Sequence, residues 1–220
     1  MSNVSIGLPP DLHAYLVRYG VRELEILRRL REETASLPQH DMQIAPEQGA
    51  LMALLVRLSG ARRAIELGTF TGYSSLAVVL AMPPDGTIVC CDISDEWTAV
   101  ARRYWAEAGV ADRVELRLAP ALETLDALLA GGAAGSFDFA FIDASKEDYP
   151  DYHERIIQLL GQGGLAIYDN VFWDGDVIDD SKTDPDTVGV RRLNERLATD
   201  ERVTISMIPV GDGLTLARKR

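Results

Sequence analysis

The stretch from Ala64 to Ser75 constrains the fold more than any other part of the sequence. An apolar run reaches Glu66, a loop with Gly68 and Gly72 follows, and an amphipathic segment then begins. This order predicts the first strand, loop and helix of a nucleotide-type fold, because the glycines admit a ligand and the helix offers free N–H groups. Glu66 stands where the first glycine of a dinucleotide fingerprint would help, and its carboxylate favours a cationic ligand over an anion. Similar glycine loops also occur without any ligand.

Strands and helices alternate along the rest of the chain. Short apolar strands are predicted at 64–67, 87–93, 114–118, 137–143 and 165–168, and helices at about 73–82, 95–108, 120–130, 149–160 and 187–199. Such strands are typical of a parallel sheet that helices cover on both faces. A predicted hairpin, 203–208 and 214–217, adds an antiparallel last strand. We therefore predict an α/β fold with a seven-stranded, mostly parallel sheet.

A single domain is predicted over residues 1–220, with a helical arm at 1–45 and a core at 46–220. Within the arm, residues 10–36 place apolar side chains at helical spacing, which predicts one surface or interface helix. A second helix is predicted from Pro46 to about residue 58, with a glycine as its stop. The exposed apolar positions of the arm favour a homodimer.

The composition excludes two classes of partner. The formal net charge is -12 and the pI is about 4.7, whereas nucleic acids and anionic membrane surfaces require a basic footprint. The sequence shows neither a signal-peptide pattern nor an apolar run of membrane-spanning length. Cys90 and Cys91 are neighbours in a predicted strand and point to opposite faces, so we expect two buried thiols in a reducing cytoplasm.

The ends of the second and third strands offer groups that suit a nucleoside. Ligands of open parallel sheets bind beyond the carboxyl ends of the strands. The second strand ends in Asp92, a carboxylate that suits a ribose diol, and Ser94 is the better candidate for the cap of the following helix. Ala119-Pro120-Ala121 follows the third strand and predicts either an adenine slot or an ordinary helix start.

The ends of the fourth and fifth strands carry Asp143, closely followed by Lys146, and Asp169-Asn170. Neighbouring strands lie about 5 Å apart, so two carboxylates and an amide oxygen should converge. Hard oxygen ligands of this kind favour a magnesium-like cation. The alternative, that these acids only cap helices, is disfavoured by the combination with Lys146.

Jointly, these motifs resemble the cation-dependent O-methyltransferases of the catechol and caffeoyl-CoA type, which use S-adenosylmethionine. The resemblance runs from about residue 40 to the C-terminus, and the small bacterial catechol enzymes of natural-product pathways look closest. It is carried by Met42–Ile44, Ile65–Ser74, Cys91–Asp92, Phe141–Lys146, Tyr168–Asn170, Trp173 and Pro209–Gly213. The fold that it implies is the Rossmann-like methyltransferase fold.

The resemblance also implies roles for single residues. The cofactor would contact Met42, Ile44, Glu66, Gly68, Thr69, Tyr73, Ser74, Asp92, Ala121, Asp143 and Ser145. The metal would bind Asp143, Asp169 and Asn170, and the substrate would contact Lys146, Asn170 and Trp173. The family usually has an acid at position 145, so Ser145 predicts a change in cofactor affinity.

The expected catalytic residues are Lys146 and Asp143. Two adjacent substrate oxygens would chelate the metal, which lowers the pKa of one hydroxyl. Lys146, its pKa lowered by the dication, would accept the proton as general base, unless it is a solvated lysine at a helix start. Trp173 predicts a flat wall for an aromatic ring, or else core packing. The aspartate-rich run 174–186 is ordinarily a solvated loop, but over the site it would favour a small neutral or cationic catechol.

The expected activity is O-methylation of a vicinal hydroxyl of a catechol-like molecule in secondary metabolism, with S-adenosylmethionine and Mg2+ or a similar cation. One alternative is methylation of a hydroxyacyl group on a carrier protein or coenzyme A. Another is a cofactor-binding but inactive methyltransferase-fold subunit. A nicotinamide dehydrogenase is disfavoured by the incomplete glycine pattern and the final hairpin.

Overall fold

The computed structural model describes residue 5 and residues 7–220, so the part of the predicted arm at residues 1–4 and residue 6 lies outside it. The helices are α1 (Pro10–Gly20), α2 (Glu25–Thr34), α3 (Pro46–Ser59), α4 (Tyr73–Ala81), α5 (Asp95–Glu107), α6 (Ala121–Ala130), α7 (Tyr149–Leu159) and α8 (Pro185–Thr199). The strands are β1 (Arg63–Leu67), β2 (Thr87–Asp92), β3 (Val114–Leu118), β4 (Phe137–Ile142), β5 (Leu160–Tyr168), β6 (Val203–Ile208) and β7 (Leu214–Lys219).

The strands form one seven-stranded sheet in the order β3-β2-β1-β4-β5-β7-β6. The first five strands are parallel, and β7 runs antiparallel to both β5 and β6. One hydrophobic core lies on each face of the sheet, the first under α2 to α5 and the second under α6 to α8. The predicted fold class is therefore confirmed. The strand order reverses between β1 and β4, which is where such sheets bind ligands.

Two features of the strands differ from the predictions. The fifth strand starts at Leu160 rather than at residue 165, and its pairing with β4 shifts register between Phe137 and Phe139. Gly161, Gly163 and Gly164 concealed this half of the strand, since glycine is uncommon in regular strands. The edge strands β3 and β6 are largely exposed, so only the central strands have both faces covered.

The arm consists of two helices instead of the single helix predicted at 10–36. Helix α1 ends at Gly20, and the next residue, Val21, is extended. Helix α2 docks on the core through a hydrogen bond from Thr34 Oγ1 to Thr71 Oγ1, 2.8 Å long. By contrast, α1 buries no residue and exposes Leu12, Tyr15 and Tyr19.

Cys90 and Cys91 are free and buried, and they belong to different cores. Their side chains thus point to opposite faces of β2, as predicted. Across residue 5 and residues 7–220, no helix combines the length and the apolar character needed to cross a membrane.

Candidate active site

A cavity of about 660 Å³ opens at the carboxyl ends of the parallel strands. Most of the residues predicted to bind cofactor, metal or substrate line it: Met42, Gly68, Asp92, Ala121, Asp143, Ser145, Lys146, Asn170 and Trp173. The other predicted residues do not belong to the wall that the described part of the chain forms: Ile44, Glu66, Thr69, Tyr73, Ser74 and Asp169. The strand order thus brings residues from distant parts of the sequence to one cavity.

Glu66 lies in β1 and is completely buried. Burial raises the pKa of its carboxyl to about 8, and the nearby Ser74 hydroxyl partly opposes this shift. Even so, neither carboxylate oxygen has a hydrogen-bond partner of ordinary geometry among the described residues. A buried acceptor without a partner is costly, so this position suits a ligand that brings a positive charge or a donor.

Asp92, at the end of β2, is held by the backbone of the glycine loop. Its Oδ2 accepts hydrogen bonds from the N–H groups of Thr69 at 2.9 Å and Phe70 at 2.8 Å. Its Oδ1 accepts one from Ser94 N at 2.8 Å. As predicted, Ser94 and not Asp92 caps α5, by accepting a bond from Trp97 N. Asp92 therefore shapes the loop and still lines the cavity.

The two loop glycines serve packing within the chain. Gly68 has φ +85°, and a Cβ at this position would lie 2.1 Å from the carbonyl oxygen of Asp143. At Gly72, with φ +87°, a Cβ would lie 2.6 Å from Cβ of Ala101 in α5. The expectation that glycines allow a close approach is correct, but the partners seen here are the chain following β4 and a helix.

Tyr73 and the arm meet beside this loop. The Tyr73 hydroxyl donates a hydrogen bond of 2.6 Å to Glu23 Oε1, and Glu23 also pairs with Arg31 at 2.7 Å. Burial raises the pKa of Tyr73 above its usual range, so the hydroxyl keeps its proton as a donor. The hydroxyl of this predicted cofactor residue thus connects the arm to α4.

The acidic half of the cavity is built at the ends of β4 and β5. Ile142 pairs with Tyr168 across the two strands, so Asp143 and Asp169 follow paired residues. The hydroxyl of Tyr149 donates to the carbonyl oxygens of Ile142 and Asp169, at 3.1 and 3.0 Å, and thereby ties the two strand ends together. Sequence reasoning missed this tyrosine, since its position in the first turn of a helix gives no signal of such a role.

Lys146 is buried beside Asp143, with Nζ 2.7 Å from Oδ1. Nζ also lies 5.1 Å from the ring centroid of Tyr149 and 5.8 Å from that of Trp173. A Cβ at Gly189 of α8 would lie 2.2 Å from the Lys146 carbonyl oxygen, so α8 packs directly on the backbone here. The alternative of a solvated lysine is therefore wrong.

Asp143 and Asp169 place two acids in a largely dry environment. Burial raises the pKa of the Asp143 carboxyl, and the ammonium group of Lys146 opposes this shift. Burial also raises the pKa of Asp169, and the negative charge of Asp143 adds to the increase. In the described cavity wall, Lys146 is the single basic side chain. Asp169 is fully buried and Asp143 is partly exposed to the cavity. When both are ionised, two carboxylates beside one lysine leave excess negative charge, which is costly without a further cation.

The segment after Asn170 turns sharply. Asn170, Trp173 and Asp174 all have positive φ, between 48° and 55°. Asp212, in the hairpin turn, accepts hydrogen bonds from Asp174 N at 2.9 and 3.0 Å, and the Asn170 side chain also bonds to Asp212. Backbone strain of this kind persists only where the surroundings stabilise it. Asp212 therefore supports both the turn and a predicted metal ligand.

The aspartate-rich loop is mostly occupied with local structure. Asp176 pairs with Lys182, Asp179 accepts bonds from Ser181, and Asp184 caps α8. Of this run, only Asp186 belongs to the described cavity wall. Two acids that the sequence reasoning missed, Asp41 and Asp148, also line the cavity. The wall is thus strongly acidic, although most of the predicted loop does not contribute.

Comparison with known proteins identifies the family. A family model described as O-methyltransferase matches residues 18–220. The chain belongs to this O-methyltransferase family. The match covers the strands, the cavity and most of the helical arm.

Relatives and solved structures agree with this assignment. The chain is 46% identical over 215 residues to catechol O-methyltransferase domain-containing protein 1 of Mus musculus, covering 96% of this chain and 82% of that protein. It is 41% identical over 220 residues to caffeoyl-CoA O-methyltransferase of Eucalyptus gunnii, covering 94% and 87%. The crystal structure of the O-methyltransferase TomG from Streptomyces achromogenes, in complex with S-adenosylmethionine, superposes with a TM-score of 0.84 at 38% identity, covering 94% of each chain.

This O-methyltransferase is of the caffeoyl-CoA and catechol type and depends on S-adenosylmethionine, as predicted. The alternative of a nicotinamide dehydrogenase is therefore wrong. The unpartnered Glu66 carboxylate agrees with a cofactor that carries a cationic amino group, because such a group would satisfy its buried oxygens.

Proposed function

We propose that this O-methyltransferase is cation-dependent and methylates one hydroxyl of a vicinal pair on a catechol-like small molecule. The observation that carries the proposal is a pair of carboxylates, the fully buried Asp169 and the partly exposed Asp143, beside Lys146, the single lysine of the described cavity wall. Carboxylate and amide oxygens from Asp143, Asp169 and Asn170 suit Mg2+ or a similar divalent ion. When bound, the cation would polarise two neighbouring substrate oxygens and lower the pKa of one hydroxyl.

Lys146 is proposed as the general base. In its neutral form Nζ accepts the hydroxyl proton, and Asp143 Oδ1, 2.7 Å away, then stabilises the ammonium ion. The ring centroids of Tyr149 and Trp173 lie 5.1 and 5.8 Å from Nζ, so the two rings restrict the directions from which water reaches it. Trp173 also lines the cavity and is proposed as a wall for the aromatic ring of the substrate.

The other half of the cavity is proposed to hold S-adenosylmethionine, which supplies the methyl group on a positively charged sulfur. Glu66 would take the amino end, Asp92 the ribose, and Met42, Ala121 and Ser145 would border the cofactor. The cofactor site would be supported by four residues that lie outside the described cavity wall: Ile44, Thr69, Tyr73 and Ser74. Holding donor and acceptor in reacting geometry is the main contribution expected of the protein.

The charge of the cavity favours a neutral or cationic acceptor. The described wall contains five aspartates and one lysine: Asp41, Asp92, Asp143, Asp148, Asp186 and Lys146. Such a wall disfavours the polyphosphate of coenzyme A and an acidic carrier protein, because like charges repel at close range. A small catechol is therefore preferred over a thioester.

A role in secondary metabolism is proposed from the similarity to TomG, which is involved in tomaymycin synthesis. The two free, buried thiols support a reducing compartment, so we also propose a cytoplasmic location.

A homodimer is proposed through α1 and the neighbouring face of α3. Leu12, Tyr15 and Tyr19 on α1 are exposed, as are Leu54 and Leu58 on α3. Light scattering after size exclusion should give twice the chain mass, and the double variant Tyr15→Glu/Tyr19→Glu should give the monomer mass. A monomeric wild-type protein would contradict the proposal.

The activity is tested by mass spectrometry with a methyl-labelled donor. Catechol and dopamine should yield labelled monomethyl ethers, whereas resorcinol and phenol, which lack adjacent hydroxyls, should not. EDTA should reduce the rate by roughly 100- to 10,000-fold, since a metal ion contributes several kcal/mol to catalysis. Added Mg2+ should restore the rate. Equal rates with phenol and catechol, or a rate that EDTA leaves unchanged, would contradict the proposal.

A further inference from the structure

Gln48 is a buried side chain that sequence reasoning did not connect with the site. It lies in the first turn of α3 and has no exposed surface. Its Nε2 donates a hydrogen bond of 2.7 Å to Oδ2 of Asp169, a residue 121 positions later in the sequence. A neutral amide thus contacts a carboxylate that belongs to the proposed metal site.

The Asp169 carboxylate is held at both of its oxygens. Oδ2 receives the bond from Gln48, and Oδ1 receives one of 2.7 Å from Asn170 N. Each carboxylate oxygen can accept more than one bond, so both keep a lone pair for a cation. Loss of the Gln48 donor would leave only the backbone bond, and the carboxylate could then rotate about its Cβ–Cγ bond.

The first turn of α3 is fixed on both sides of Gln48. The preceding residue, Glu47, accepts bonds from Ser5 Oγ at 2.8 Å and from His13 Nε2 at 2.9 Å. The following residue, Gly49, packs so closely that a Cβ would lie 2.8 Å from the ring of Tyr73. This packing leaves the Gln48 side chain little freedom to move away from Asp169.

We propose that Gln48 is a positioning residue that orients the Asp169 carboxylate for the divalent cation. The inference rests on the proposed function, since it concerns the same cation. Replacing a group that hydrogen-bonds to a metal ligand typically lowers the metal affinity by about 10- to 100-fold. Gln48 would orient the Asp169 carboxylate from α3, a helix that packs beside the sheet.

The test is a titration of the full chain with Mn2+ alone. The concentration of free Mn2+ is measured at each step by electron paramagnetic resonance. Gln48→Met removes the donor and keeps the side-chain length, so the dissociation constant should rise about 10- to 100-fold. Gln48→Asn shortens the side chain by one methylene and should also weaken binding. Gln43→Met changes another buried glutamine, located before α3, and should shift the constant by less than about twofold.

A kinetic measurement separates positioning from general damage. With Gln48→Met, the Mn2+ concentration for half-maximal activity should rise while kcat at saturating Mn2+ stays within a few-fold. Unchanged Mn2+ affinity in both Gln48 variants would overturn the role of Gln48 and leave the proposed function intact. Wild-type protein that binds no Mn2+ would overturn the proposed cation dependence and this inference together.

Discussion

At the end of β2, the Asp92 carboxylate accepts hydrogen bonds from three backbone N–H groups that follow β1 and β2. At the ends of β4 and β5, the fully buried Asp169 and the partly exposed Asp143 instead lie beside one lysine. The first region, which we name the loop half, consists of Glu66, Asp92 and the glycine loop 68–72. Hydrogen bonds within the chain determine its shape. The second, named the acidic half, consists of Asp143, Lys146, Asp169 and Asn170 and concentrates negative charge.

Burial raises the pKa of an acid in each half, Glu66 and Asp169, but the two halves differ in the charges that surround that acid. Glu66 in the loop half has a pKa near 8, so a proton can neutralise it near physiological pH. In the acidic half, the two aspartates raise each other's cost of ionisation, and a divalent cation would remove that cost. The comparison supports the proposal that the loop half holds the nucleoside of the cofactor and that a divalent cation would complete the acidic half.

The largest expected effect concerns the acidic half. Lys146→Met should reduce kcat by about 100- to 10,000-fold at saturating metal and donor, because the proposed general base is lost. Binding of S-adenosylhomocysteine, measured by calorimetry, should change little. Lys182→Met is the matched control, since Lys182 pairs with Asp176 outside the described cavity wall. A loss below tenfold in Lys146→Met would assign the proton transfer to another group.

A smaller effect is expected in the loop half. Asp92→Asn keeps the shape but removes the charge that three N–H groups bind, and hydrogen bonds to charged groups contribute about 1.5–3 kcal/mol. Binding of S-adenosylhomocysteine should weaken roughly 10- to 100-fold, while Mn2+ affinity stays constant. Asp95→Asn, at an exposed acid that pairs with Arg102, serves as the control. Equal weakening in both variants would contradict a specific role for Asp92.

The effect with the smallest change for each step of the measurement is the pH dependence of stability contributed by Glu66. Its pKa is about 8 in the folded chain, against an ordinary 4.5, so the folded state binds more protons between these values. This contribution to stability is full below about pH 4.5 and is lost as the pH rises toward 8. For ligand-free protein, the free energy of unfolding in urea should fall by at most about 1.4 kcal/mol per pH unit from this group.

Glu66→Gln should remove that part of the slope, and S-adenosylhomocysteine should reduce it in the wild type by satisfying the carboxylate. Parallel curves for Glu66→Gln and wild type between pH 5 and pH 8 would show that Glu66 does not titrate there.

Much of the sheet could be predicted because apolar strand runs alternate with helical periodicity. The carboxyl ends of β1, β2, β4 and β5 were the most informative positions, since parallel pairing forces them to one edge. The break in the arm could also have been predicted, because Gly20 is unfavourable in the interior of one long helix. The first half of β5 could not, because its glycines conceal the strand pattern.

Parts of the site depend on contacts that no local pattern encodes. Gln48 and Asp169 are 121 residues apart, and a glutamine in a first helical turn has no characteristic function. Asp212 was named in the sequence analysis only within the motif Pro209–Gly213, without a role of its own, yet it supports the strained backbone at Asp174. The acids Asp41 and Asp148 reach the cavity only through the packing of separate elements. These contacts join residues that are far apart in the sequence, so they can be recognised only from the folded structure.

The most direct test of the central claim is anomalous diffraction from crystals soaked with Mn2+ and S-adenosylhomocysteine. The account predicts one strong manganese peak between the ends of β4 and β5, about 2.1 Å from oxygens of Asp143, Asp169 and Asn170. Carboxylates of Asp143 and Asp169 that point apart, with no peak between them, would contradict it.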